Sequence, residues 1–218
     1  MIKAVFFDLD GTLVNSLEDL ATSANYALKE FGFPQHAVEK YKYFIGDGMQ
    51  KLIERVLPEN DRTAEIKQRV FQSFWNHYAE HYVDKTVVYD GIKELLTALR
   101  QEGLKLAVVS NKAQEMALEV TNKLLGDSLD VVCGKQEGYP PKPDPKLTLK
   151  TMDDMGVKPE ECVFIGDSGM DAATAVNTGC VGIGVLWGFR TEDELLDNGA
   201  KFIVEKPNRI LDIIHSLN

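Results

Sequence analysis

Two apolar patterns divide this chain. Six short apolar runs, at 2–7, 104–109, 129–133, 162–165, 181–186 and 202–204, of which the first three are each interrupted by a single charged residue (Lys3, Lys105, Asp130), read as strands buried on both faces of a parallel sheet. Between them, apolar residues recur at helical spacing. Asp90-Gly91 opens a helix with Ile92, Leu95, Leu96 and Leu99, which Gly103 stops. Met116, Ala117, Val120 and Leu124 mark a second, 147–155 a third closed by Gly156, and 172–177 a fourth of small residues. Strand and helix in alternation predict an α/β fold with a doubly wound, Rossmann-like parallel sheet.

One stretch departs from that alternation. After the first run the pattern is helical throughout 16–82. Ser16 is a candidate N-cap, followed by Leu17, Leu20, Ala21, Ala24, Ala27, Leu28 and Phe31, with a stop at Gly32 and Pro34. A second helical stretch holds Val38, Tyr41, Phe44 and Ile45, breaks at Gly46-Asp47-Gly48, and resumes through Met49, Leu52, Ile53, Val56 and Leu57. A third carries Ile66, Val70, Phe71, Phe74, Trp75, Tyr78 and Tyr82, an aromatic stripe that reads as core. A parallel crossover needs only about thirty residues in all, and this segment has about seventy. It therefore reads as an inserted all-helical cap domain over 16–83, with the α/β core at 1–15 and 84–218 and hinges near Asn15 and 84–89.

Composition narrows the function. The 218 residues carry a net charge of −10, which disfavours nucleic acid as a partner. The same charge repels phosphorylated molecules at long range, so a phosphate site here needs a metal and a few local cations. Three cysteines, Cys133, Cys162 and Cys180, lack metal-like spacing and read as buried small hydrophobes in a reducing cytoplasm. The opening apolar run is too short for a signal peptide before it meets Asp8, and no run is long enough to span a membrane. A cytoplasmic protein without a membrane partner is the expectation.

The candidate chemistry starts where the first strand ends, at Asp8-Leu9-Asp10-Gly11-Thr12. Sites in open α/β sheets lie at the carboxyl ends of strands. A plain turn accounts for one aspartate there. Two acids closing a buried strand repel each other unless a cation neutralises them, and Mg²⁺ takes such oxygen ligands.

This stretch resembles the first signature of the haloacid dehalogenase-like phosphohydrolases. The further elements of that family follow in order: Ser110 closes the 104–109 strand, Lys142 lies in the loop Tyr139-Pro140-Pro141-Lys142-Pro143-Asp144-Pro145, and Asp167 and Asp171 follow the 162–165 strand. The resemblance spans the whole chain, cap included. It implies a phosphomonoester hydrolase with Asp8 as nucleophile and Asp10 as general acid and then base. It also implies Mg²⁺ on Asp8, the Asp10 carbonyl and Asp167, with Ser110 on the phosphoryl group and Lys142 balancing charge. Asp171 would hold Lys142 or a metal-bound water, and backbone N–H groups around Leu9, Asp10 and Asn111 would add donors.

Within the family, the acid at position 10 disfavours C–halogen and C–P cleavage. Gly11-Thr12-Leu13-Val14-Asn15-Ser16, and Gly46-Asp47-Gly48 with Leu52-Ile53, most resemble the phosphoglycolate phosphatase group, although position 15 is commonly Asp there. Substrate contacts are accordingly expected from Thr12, Gly46, Gly48, Lys51, Asn111, Lys112 and Arg190, with a small phosphorylated metabolite as partner and a monomer or homodimer as the assembly. Nucleotide, sugar-phosphate and pyrophosphate phosphatases are the alternatives. A hexose-phosphate mutase would carry a cap histidine soon after Ser16, and a signalling receiver would lack both Asp10 and the cap. Trp187-Gly188 is placed to border the site. His77 and His81 share a helix face, with no third ligand in view.

Overall fold

The first apolar run forms β1 (Ala4–Phe7), whose four residues are fully buried. A computed structural model describes the chain over residues 1–218. In chain order there follow β2 (Val14–Asn15), α1 (Leu17–Glu30), α2 (Tyr41–Phe44), α3 (Met49–Val56), α4 (Ala64–His81) and β3 (Val87–Val88). Then come α5 (Ile92–Gln101), β4 (Lys105–Ala113), α6 (Gln114–Leu125), β5 (Val131–Lys135), α7 (Lys146–Asp154), β6 (Cys162–Gly166), α8 (Gly169–Thr178), β7 (Val181–Val185), α9 (Glu192–Asp197), β8 (Phe202–Val204) and α10 (Arg209–Ser216). Two compact units result, one of Met1–Val14 with Val88–Asn218 and the other of Asn15–Val87. No helix is long and apolar enough to cross a membrane.

The first unit is a six-stranded sheet in the order β5-β4-β1-β6-β7-β8, every neighbouring pair parallel. The chain steps outward from β1 to β4 and β5, then crosses to β6 on the other side of β1. That reversal of direction opens a crevice beyond the carboxyl ends of the central strands. Phe7 stands level with Val108 and Ile165 in the adjacent strands. One residue further on, Asp8 comes level with Val109 and Gly166, immediately before Ser110 of β4 and Asp167 past the end of β6. One face of the sheet buries Ala4, Phe6, Ala107, Val109, Cys162 and Phe164 in a single core cluster. Cys133 and Cys162 are buried there as small hydrophobes, and Cys180 is half-buried against the same cluster.

The second unit is helical, and its core includes Leu28, Leu52, Ile53, Phe74 and Tyr78. The loop between α1 and α2 is held by one amide. Asn25 Nδ2 donates to the His36 carbonyl at 2.8 Å, and its Oδ1 accepts from His36 N at 2.9 Å and from Tyr41 Oη at 2.8 Å. Buried Asp19 accepts from Lys85 N, Thr86 N and Thr86 Oγ1, which fixes the segment leading into β3. Charged acceptors with several donors are among the stronger hydrogen-bonded arrangements.

The structure departs locally from the sequence reading. Ser16 is the cap residue of α1 by position, but its hydroxyl makes no capping bond, and Asn15 Oδ1 accepts from Leu17 N instead. The strand expected at 104–109 runs on through Ser110, Asn111 and Lys112 to Ala113, with a register shift against β5 after Val109. Its polar end stays in the sheet because those side chains find partners. The break at Gly46-Asp47-Gly48 separates α2 from α3, where Gly46 and Gly48 have φ of 117° and 88°.

Candidate active site

The turn after β1 is wound on one carbonyl. Leu9 O accepts from the amides of Thr12, Leu13 and Val14, at 3.3, 3.0 and 3.1 Å, while Leu9 and Leu13 are fully buried. Asp8 N still bonds Ile165 O of β6 at 2.9 Å, so Asp8 keeps the position of a strand residue. Gly11 has a φ of 90°, a conformation that L side chains rarely adopt, and a Cβ there would lie 2.3 Å from Asp167 Oδ2.

Asp8, Asp167 and Asp171 converge, each offering a carboxylate oxygen within 4.8 Å of the others. Lys142 is the cation among them. Its Nζ lies 2.6 Å from Asp171 Oδ1 and 2.9 Å from Asp8 Oδ1, with the side chain 4% exposed. Asp8 Oδ1 is buried, with the Lys142 ammonium as its charged neighbour. Asp171, in the first turn of α8, accepts from Ser168 N and Oγ at 3.1 and 2.6 Å through its other oxygen. It is thereby committed to holding Lys142. Asp167 accepts from Thr12 Oγ1 at 2.9 Å and from Phe189 N at 2.8 Å.

Three acids around one lysine leave the cluster short of positive charge. Burial pushes the Asp8 carboxyl up to about 6; Lys142 works against that shift and Asp171 adds to it. Burial, then Asp171 and Asp8, push Asp167 up to about 8. Burial disfavours the Lys142 ammonium, but Asp171 and Asp8 outweigh it and hold Lys142 above the ordinary lysine value. The donor set is all hard oxygen, and the charge deficit is that of a cation. These residues fit Mg²⁺, with Asp8 and Asp167 as the available carboxylates.

Asp10 pairs with a second lysine. Its two oxygens lie 3.1 and 3.2 Å from Lys112 Nζ, a side chain only 1% exposed, and its own carboxylate is 20% exposed. So Lys112 sits on the candidate acid. Asn111 is occupied as a clamp: its Oδ1 accepts from Lys142 N at 2.8 Å and its Nδ2 donates to Lys142 O at 3.3 Å. Thr12 is fully buried beneath Asp167 and positions that carboxylate. Ser110 is buried at the polar end of β4, where its Oγ accepts from Lys112 N at 3.4 Å. Arg190, 11% exposed, pairs with Glu194 at 3.3 Å.

The α/β unit thus brings Asp8, Thr12, Asn111, Lys142, Asp167 and Asp171 into one connected group, with Asp10 and Lys112 paired beside it. Gly46, Gly48 and Lys51 belong to the helical unit. Gly48 precedes α3, and Lys51 is exposed and pairs with Glu54 at 3.3 Å.

Two glycines and an indole complete the scaffold. A Cβ on Gly188 would meet Asp167 Cβ at 2.2 Å and Gly11 O at 2.4 Å, and one on Gly166 would meet Asp171 Cβ at 2.2 Å. Trp187 Nε1 donates to Thr12 O at 3.0 Å, which ties the end of β7 to the acid-bearing turn. Phe189 was missed by sequence reasoning. Its position just past the carboxyl end of a parallel strand was the available signal.

Residues 5–185 match the family described as haloacid dehalogenase-like hydrolase. A phosphoglycolate phosphatase of Chromobacterium violaceum is 34% identical over 218 residues, covering 98% of this chain and 96% of that protein. One from Mannheimia succiniciproducens is also 34% identical, covering 97% and 98% respectively. The crystal structure of a predicted phosphoglycolate phosphatase from Haemophilus somnus superposes with a TM-score of 0.91 at 30% identity, covering 98% of each chain.

Proposed function

The chain belongs to the haloacid dehalogenase-like hydrolase family and is a phosphatase; from that premise we propose that it cleaves 2-phosphoglycolate with Mg²⁺ bound, through an aspartyl-phosphate on Asp8. The observation that carries the reading is the division of labour between two acids on one turn. Asp8 pairs with Lys142 in the carboxylate cluster, and Asp10 pairs with a different cation, Lys112.

In the first half-reaction an Asp8 oxygen bonds to phosphorus, the ester P–O bond breaks, and the leaving oxygen takes a proton from Asp10. In the second, water attacks phosphorus, Asp10 takes a proton from it, and the Asp8–phosphorus bond breaks to release phosphate. Splitting one hard displacement into two in-line steps leaves the protein mostly positioning and neutralising charge. Lys142 holds Asp8 as the anion and faces the phosphoryl charge; Asp171 and the Asn111 clamp hold Lys142 in place. Ser110 donates its hydroxyl to a phosphoryl oxygen. Asp8 and Asp167 would hold the cation, which supplies charge neutralisation of the phosphoryl oxygens.

The substrate rests on the relatives, which carry the same name at matching length. Steady-state kcat/KM over a panel of phosphomonoesters tests it. 2-Phosphoglycolate is expected to lead. A nucleotide, sugar phosphate or pyrophosphate leading by tenfold would replace the substrate and leave the chemistry standing.

A further inference from the structure

The helical unit holds a second group of ligating side chains, which the phosphatase chemistry does not use. His77 and His81 lie one turn apart near the end of α4, their ring centroids 4.4 Å apart and the planes inclined by 33°. Each ring has its Nδ1 engaged. His81 Nδ1 lies 2.7 Å from Asp84 Oδ2, and His77 Nδ1 lies 3.0 Å from Ser23 Oγ. A carboxylate only accepts, so neutral His81 carries its proton on Nδ1 and leaves the Nε2 lone pair open. In the tautomer whose Nδ1–H donates to Ser23 Oγ, His77 presents Nε2 in the same way. The Tyr26 ring lies against His77, centroids 4.3 Å apart and planes inclined by 32°. The pair lines a cavity of about 690 Å³ together with Glu30 and Glu80.

We propose that His77 and His81 chelate a transition-metal ion of the Zn²⁺ class through their Nε2 atoms, at a site separate from the carboxylate cluster. Residues at i and i+4 present their side chains to one helix face, as a two-toothed ligand requires. An Nδ1–H directed at a carboxylate, as His81 has in Asp84, is the outer arrangement that orients metal-binding histidines and raises their basicity. Imidazole suits Zn²⁺, Ni²⁺ and Cu²⁺, whereas Mg²⁺ prefers oxygen, so the two sites sort different ions. Water completes the shell, since only two protein ligands are in hand.

The test is a Zn²⁺ titration of the full chain in excess Mg²⁺, followed by competition with a chromophoric chelator. One Zn²⁺ is expected at this site, weakened at least tenfold by His77→Ala and equally by His81→Ala. Asp84→Asn should weaken it by about 10–100-fold. Turnover of p-nitrophenyl phosphate should not change in any of the three variants. Imidazole ¹⁵N spectra of the unmodified protein read the same claim without a substitution: Zn²⁺ should shift both Nε2 resonances. Unchanged binding in the histidine variants, dependence on only one of the two, or unshifted Nε2 resonances would each overturn the site.

Discussion

Mg²⁺ affinity should rise steeply with pH, and the carboxylate cluster sets by how much. Asp167 titrates near 8 and Asp8 near 6 in the metal-free protein. A cation must displace whatever protons they hold. At pH 6, Asp167 is ionised in about one molecule in a hundred and Asp8 in about half; at pH 8 the fractions are about half and nearly all. The product of the two fractions rises about 100-fold between those pH values, and the apparent Mg²⁺ affinity rises with it. At pH 7 each Mg²⁺ should release about one proton. Carboxylates at ordinary values would be ionised throughout and give less than a twofold change. The stability of the metal-free protein follows the same linkage. The folded state holds more protons than the unfolded one between about pH 4 and 8, so stability falls as pH rises through that window, and Mg²⁺ restores it. Isothermal titration at pH 6, 7 and 8, in buffers of different ionisation heat, measures both affinity and proton release. A flat affinity with no proton released would refute the reasoning.

The other predictions are kinetic and steric. Asp10→Asn should slow a poor leaving group by about 10²–10⁴-fold. p-Nitrophenyl phosphate, whose leaving group needs no proton, should give a burst followed by slow turnover. Rapid-quench kinetics showing equal losses and no burst would assign Asp10 a structural role. Gly188→Ala forces a Cβ onto the buried Asp167 side chain and the Gly11 carbonyl, at 2.2 and 2.4 Å. It should cost about 1–3 kcal/mol of stability and weaken Mg²⁺ binding, and an unmoved denaturation midpoint would contradict that packing.

The parallel sheet was legible because its strands are buried on both faces and so write apolar runs with at most one charged residue each. Asp8, Asp167 and Lys142 were legible because each follows a predicted strand or sits in a proline-rich loop, in the family's order. What the side chains do to one another was not. That Lys112 is buried against Asp10, or that Asn111 clamps the backbone of Lys142, depends on β4 continuing past Val109 with a shifted register against β5. Apolar periodicity carries no trace of that shift, because polar residues stay in the strand by finding partners. Ser16 holds the N-cap position as read, but its hydroxyl makes no capping bond, and Asn15, one residue earlier, supplies the acceptor. Gly188 matters through a neighbour 21 positions earlier in sequence, a contact that only the fold creates.

The measurement nearest the central claim is the location of phosphate on the enzyme during turnover. Protein mixed with 2-phosphoglycolate and Mg²⁺, quenched in acid within the first turnover and mapped by mass spectrometry, should carry one phosphoryl group on Asp8. The group should be labile to hydroxylamine and absent in Asp8→Asn. Phosphate on another residue, or full turnover by Asp8→Asn, would contradict the account.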